Sequence, residues 1–429
     1  MTIKTIQNSK MIIPRRRFLQ GLGASTILPS MIAHANTSQE RKFLFVHCTG
    51  GWDQCYFSAP LHGNNNIDME EDSTEAIVHG IHFVDSAVKE NMRTFFEQFG
   101  DRCALINGIE SRSVAHDVCL RLINTGTSLA STDDWSSILA GSSQSNPIMP
   151  LVAISGPLYT FEHTESVVRI GSNGQLAALL NGDVLEDLGI AYPQSLSQTE
   201  DELVEQLIKK RIESQQNQRG KALEVLLQCK TAEERMRRLQ DIEHDLDLTG
   251  GSTLGNRLEL AVDVLKRGLS RCVTLGYEGW QGLSWDTHAA GFLQSFHLNE
   301  LFGELHRTME KLQQTQGTQG GKLLDEVTVV VLSEMGRFPQ YNNRNGKEHW
   351  TYTSALLMGS GIRGGQTIGH FDTNCFGQAI DLDSGEVNPT LGTQMLPSHL
   401  GATLLFLGDV EPQKYTDALP ITAAINDNT

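Results

Sequence analysis

The sequence predicts an α/β fold: a mainly parallel central sheet packed against helices, with a helical insertion. Two observations carry this reading. Short apolar runs alternate with helical stretches along the 429 residues, the order that builds a parallel sheet. Residues able to do chemistry follow the ends of several of those runs, where an open α/β sheet presents its ligands. Lys42-Phe-Leu-Phe-Val-His47 reads as a buried first strand leading into Cys48-Thr-Gly-Gly-Trp-Asp53. A helix ends near Gly100, and Arg102–Asn107 reads as the next strand. It leads through Gly108, Ser111, Ser113 and His116 into a further helix. Leu151–Ser155 and Val273–Gly276 read as strands, and Leu258–Leu269 and Gln294–Gln313 as helices. Glu326-Val-Thr-Val-Val-Val-Leu332 is the clearest strand, since its near-continuous apolar character fits burial on both faces. A last strand is read at Ser354–Met358. The charged stretch of about 195–250 has helical spacing and few breakers, and reads as the insertion.

Residues 1–35 read as a twin-arginine signal peptide. Arg15-Arg16-Arg17-Phe18-Leu19-Gln20 precedes a mildly apolar stretch from Gly21 to Ala33, and Ala33-His34-Ala35 is a small-x-small cleavage site. The working domain is then 36–429, destined for the periplasm or secretion, with the twin-arginine translocase as its partner during export. No later apolar run is long enough for a transmembrane helix, so no stable membrane anchor is expected. Removing the signal takes away five basic and no acidic residues, and the formal charge moves from −17 to −22. Such a surface disfavours nucleic acid and anionic lipid. The seven cysteines are odd in number, scattered and free of CxxC spacing, which argues against a disulfide scaffold or zinc ribbon. One bridge, Cys48–Cys55, is compatible with their positions.

Four groups share one placement: Asp53, Asp286 with His288, Glu334, and His349. The first three follow strand-like runs, and the ends of parallel strands gather along one edge. Carboxylates and imidazoles together suit a divalent ion such as zinc, calcium, magnesium or manganese. Without a cation, so much negative charge at one place would be costly. Each residue also has a plain structural use: Asp53 as a turn or cap, His288 as a core histidine, Glu334 as a partner of Arg337.

Gly50-Gly51-Trp52-Asp53, Trp285-Asp286-Thr287-His288, Ser333-Glu334-Met335-Gly336-Arg337 and Lys347-Glu348-His349-Trp350, with the Gly-rich run from Gly361 to Gly369, closely resemble the DUF1501 family. The resemblance covers essentially the whole chain after the signal. It implies an alkaline-phosphatase-like three-layer sandwich and kinship with sulfatases and phosphatases. It further implies that Asp53, Asp286, His288, Glu334 and His349 hold metal. His116 matches a family histidine nine residues ahead of Thr125-Gly126 and joins the catalytic set. Three departures stand out: Ala115 replaces the usual Ser, Glu348 replaces the usual Asp, and the superfamily's nucleophile has no clear counterpart. Ser113, at a helix start, is the candidate nucleophile, and ordinary N-capping explains it and Ser111 as well. Arg337 is either an anion clamp or a structural partner of Glu334. The functional expectation is a metal-dependent hydrolase acting on a small-molecule or polysaccharide ester of phosphate or sulfate. The alternative is a non-catalytic, metal-stabilised periplasmic binding or scaffold protein.

Overall fold

The computed structural model describes residues 40–171, 198–214, 220–240 and 251–426. The signal peptide read at residues 1–35 lies outside them. In chain order the strands are β1 (Lys42–Cys48), β2 (Thr74–Val78), β3 (Ile81–Asp85), β4 (Cys103–Glu110), β5 (Leu151–Ala153), β6 (Val167–Arg169), β7 (Cys272–Tyr277), β8 (Val327–Leu332), β9 (Gly336–Tyr341), β10 (Lys347–Trp350), β11 (Tyr352–Gly359) and β12 (Gln366–Ile368). The helices used below are α1 (Glu90–Phe99), α2 (His116–Thr125), α3 (Trp135–Gly141), α4 (Gln198–Ser214), α5 (Lys221–Gln240), α6 (Leu254–Lys266), α7 (Leu293–Gln314) and α8 (Pro397–Leu407).

Eight strands form one sheet in the order β12-β4-β11-β8-β1-β7-β5-β6. All neighbours pair in parallel except at β11, which runs antiparallel to both β4 and β8. Side-chain alternation explains why the central strands are apolar throughout. On β1, Leu44, Val46 and Cys48 enter one core while Phe43 and Phe45 enter another. On β8, Val327, Val329 and Val331 face the first core, and Val330 and Leu332 the second. A period of two with both faces buried erases the polar half of the pattern. Helices α1, α6 and α7 cover the first face through Phe95, Phe96, Leu258, Val262, Leu298 and Phe302. The shorter α3 and α8 cover the second through Trp135, Leu139, Leu400 and Leu404. This is the helix-flanked, mainly parallel three-layer sandwich that the sequence predicts. Helices α4 and α5 fall in the stretch read as an insertion. No helix among the described residues is long and apolar enough to cross a membrane.

Two small hairpins escaped the sequence reading: β2–β3 and β9–β10, each antiparallel. The second carries the site. It begins four residues after the end of β8 and folds His349 across from Arg337. Gly346 lets its turn approach the loop after β7, since a Cβ there would meet the His288 backbone carbonyl carbon at 2.3 Å.

Two buried histidines make the fold acid-sensitive. Burial pushes both His47 and His297 down to a pKa of about 4. His297 Nδ1 accepts from Trp280 N at 2.8 Å, which holds the ring neutral and fixes the loop leading to Asp286. An unfolded histidine binds a proton near pH 6.5, whereas these two refuse it until about 4. Between those values the unfolded chain binds more protons, so stability falls as pH falls. Each histidine is expected to cost about 2 kcal/mol between pH 7 and pH 5. Urea unfolding at the two pH values checks this, with His47→Gln expected to flatten the slope. An unchanged slope in that variant removes His47 as a source.

Candidate metal centre

The site residues lie on segments that follow the C-terminal ends of parallel strands: His116 after β4, Asp286 after β7, and Glu334 directly after β8. The hairpin after β8 adds His349. Gly50, after β1, has a φ of +124°, and a Cβ on it would meet Asp286 N at 2.7 Å. Only glycine allows these two loops to touch there.

Asp286 Oδ1 is the common point of the cluster. It lies 3.1 Å from His288 Nε2, 3.3 Å from His349 Nε2 and 3.5 Å from His116 Nε2. Donors placed 2.0–2.1 Å from a tetrahedral ion are spaced by roughly 3.3 Å, so these separations suit a shared cation. His116, Asp286 and His349 form a group whose donor atoms all lie within 4.8 Å of one another. His288 stands against two of them, with its Nε2 2.8 Å from His349 Nε2. Two ring nitrogens that close need a proton or a cation between them.

The partners of the other ring nitrogens decide which atoms face inward. His349 Nδ1 donates to the Val114 carbonyl at 2.7 Å, because a carbonyl can only accept. Its Nε2 lone pair therefore points at the cluster. His116 Nδ1 lies 2.7 Å from Glu334 Oε1, and its buried Nε2 has no hydrogen-bond partner. The hydrogen bond to Glu334 also holds the His116 imidazole above its usual pKa, against the opposing effect of burial. His288 Nδ1 lies 2.7 Å from Glu348 Oε2. Carboxylate or carbonyl behind the ring and a lone pair in front is the arrangement of metal-binding histidines.

Glu334 is 1 % exposed and accepts from Gly50 N at 2.8 Å as well as facing His116. It stands behind a donor, not beside the shared point. His116, read from the sequence as catalytic, supplies one of the three converging atoms. The signal for that was available: an imidazole at the start of a helix following a parallel strand.

Asp53 makes the turn contact that is one of its two readings, and Arg337 pairs with Asp286, not with Glu334. Asp53 is buried and ion-paired with buried Lys347 at 2.9 Å, with Cys55 N donating to its Oδ1 at 2.9 Å. Burial alone would lower the Lys347 pKa, but the Asp53 charge outweighs it and holds the ammonium above the usual lysine range. The Asp53 carboxylate is therefore already neutralised and does not join the three-donor group. Arg337 is fully buried. Its guanidinium donates to the carbonyls of Gly50, Gly51, Trp285 and Lys347, and to Asp286 Oδ1 at 2.5 Å. A guanidinium enclosed this way does not meet an incoming anion; it orients Asp286 and ties three loops together. Burial works to raise the Asp286 pKa, but Arg337 and the nearby histidines hold the carboxyl below its ordinary range. Ser113 Oγ accepts from Ala115 N at 3.2 Å, an ordinary turn contact at the start of α2. Of the adjoining tryptophans, Trp52 and Trp285 are wholly buried.

Solved structures similar to this chain include the soluble domain of lipooligosaccharide phosphoethanolamine transferase A from Neisseria meningitidis. It is 10% identical over 90% of this chain and 94% of that one, with a TM-score of 0.40. The PsFucS1 sulfatase from Pseudoalteromonas sp. is 9% identical over 91% of this chain and 72% of that one, with a TM-score of 0.37. These likenesses are too distant to carry an activity. No curated protein matches the chain. The family described as "protein of unknown function (DUF1501)" matches residues 40–396, most of the chain and every residue of the cluster, and this protein belongs to that family.

Proposed function

We propose that the protein is an exported, metal-dependent hydrolase of phosphate or sulfate esters. The observation that carries the proposal is the convergence of His116 Nε2, Asp286 Oδ1 and His349 Nε2 at one edge of the sheet. Three protein donors, all partly exposed, leave room for a further ligand, as in catalytic metal sites and unlike closed structural ones. A divalent ion bound there would supply Lewis-acid stabilisation to an ester oxygen. The chain's own part is to aim the donors. Glu334 and Val114 fix the tautomers of His116 and His349, and Arg337 fixes Asp286. The ester class comes from the motif resemblance, and export from the twin-arginine signal.

One observation favours the non-catalytic alternative: Ser113 Oγ accepts from Ala115 N at 3.2 Å, and among the described hydrogen bonds no imidazole or carboxylate takes its proton. One experiment separates the readings. Protein purified from the periplasm is assayed for bound metal, then given aryl phosphates, phosphodiesters and sulfates, with His349→Ala as the control. The hydrolase reading expects bound divalent metal and metal-dependent turnover, both lost in the variant. Metal without turnover supports the binding role, and failure to bind zinc, manganese, calcium or magnesium on reconstitution ends both.

A further inference from the structure

A cleft opens between the start of α7, the β9–β10 turn, the loop after β1 and the segment joining β3 to α1. It encloses about 690 Å³, room enough for a small organic molecule. Its walls are aromatic. Phe292, just ahead of α7, is 58 % exposed, and Val88 and Tyr341 are exposed on other sides, so large apolar side chains gather here without cover. The Phe292 ring stands at 85° to that of Phe296, with centres 6.2 Å apart, and Trp280 stacks on Phe296 at 4.9 Å. Tyr56 and Tyr341 close another side, hydroxyl to hydroxyl at 2.5 Å. Buried Lys347 already lies over both of those rings, 5.4 and 5.2 Å from their centres.

The polar floor is fully engaged. Glu70 Oε1 accepts from Ser86 Oγ at 2.7 Å and from Ser295 Oγ at 2.6 Å, and its Oε2 pairs with fully buried Lys89. Both lysines near the cleft are thereby neutralised, Lys89 by Glu70 and Lys347 by Asp53. The rim differs. Glu71 and Asp72 are exposed, and neither carboxylate has an ion-pair or side-chain hydrogen-bond partner among the described residues.

We propose that this cleft binds an organic cation of the quaternary-ammonium class. Aromatic faces set at right angles offer negative π-surface to a weakly hydrated cation, and unpaired carboxylates at the rim attract it from a distance. An anion would meet the same carboxylates on a chain of formal charge −17. A metal ion would need converging donors, and among the described residues the group that converges is His116, Asp286 and His349, none of which lines the cleft. The site therefore does not depend on the hydrolase reading.

Calorimetric titration of the purified protein with choline tests this, against dimethylbutanol, which has carbon in place of the charged nitrogen. Choline is expected to bind saturably and about tenfold or more tighter than dimethylbutanol. Phe292→Ala, at an exposed position, is expected to weaken choline about fivefold or more. Glu71→Gln combined with Asp72→Asn should weaken it about threefold at low ionic strength, a difference that shrinks as salt is raised. Stripping divalent metal with a chelator should leave choline affinity unchanged, which keeps this result apart from that of the metal assay. Circular dichroism establishes that each variant is folded. No saturable binding by the parent, equal affinity for the two probes, or full affinity in either cleft variant overturns the proposal. So does choline binding that disappears with the metal, since that would move the ammonium to the metal centre.

Discussion

Replacing Lys347 with Met is expected to lower the stability of the fold by about 3–5 kcal/mol. Lys347 and Asp53 are each 1 % exposed and lie 2.9 Å apart. The ammonium also sits 5.4 Å from the centre of the Tyr56 ring and 5.2 Å from that of Tyr341, and it donates to the Asp68 carbonyl at 2.7 Å. Removing it leaves a carboxylate in the interior with the Cys55 N–H as partner and no opposite charge beside it. A double variant, Lys347→Met with Asp53→Asn, should recover part of the loss, with a coupling above about 1 kcal/mol. Denaturant unfolding of the parent, the two single variants and the double measures it. A Lys347→Met protein within about 0.5 kcal/mol of the parent would show that the buried pair carries no such weight. The same variants test Asp53 as a ligand. Asp53→Asn should keep its metal, and a well-folded Asp53→Asn protein without metal returns Asp53 to the ligand set.

Asp286→Ala is expected to reduce metal affinity more than any other change in the cluster. Its Oδ1 faces all three imidazoles, so its loss removes the point on which they converge. It also leaves the buried Arg337 guanidinium without its charged partner, at about 1–3 kcal/mol. Glu334→Gln acts one step back. A glutamine amide facing His116 Nδ1 can donate as well as accept, which frees the ring to turn its lone pair away from the cluster. Loss of such an outer partner costs about 10–100-fold in affinity. Zinc competition against a chromophoric chelator should therefore rank the proteins as parent, Glu334→Gln, then Asp286→Ala. Equal affinity for Glu334→Gln and the parent would mean that Glu334 does not orient His116.

Much of the scaffold was legible because burial on both faces leaves an unmistakable trace. The apolar runs of β1 and β8 could be read directly, and the residues after them marked the functional edge. Direction was not legible: β11 is as apolar as its neighbours, and nothing in Tyr352–Gly359 tells that it runs opposite to them. The β9–β10 hairpin was invisible because Arg337, Gln340, Lys347 and Glu348 interrupt any apolar alternation. That hairpin decides the fate of two residues read from the motifs. It brings Lys347 against Asp53, and it encloses Arg337 among carbonyls. Both outcomes depend on pairings between distant segments, which spacing along a chain does not encode. His116 was found, but in the catalytic set; only the three-dimensional meeting with His349, ring centres 4.4 Å apart, places it among the metal-competent donors.

The lone antiparallel strand also constrains how the molecule can be assembled. β11 is the sole link in the sheet between the β12–β4 pair and the five strands from β8 to β6. It follows His349 almost at once in the chain. One short stretch thus closes the sheet and completes the donor cluster together. Glu334 and His116, 218 residues apart, have no common frame until it arrives. Such long-range closure is slow and comes late. A nascent chain released before residue 349 would carry strands and histidines but no place for an ion. On the proposed function, a metal would find its donors together only once the chain has been made through residue 349.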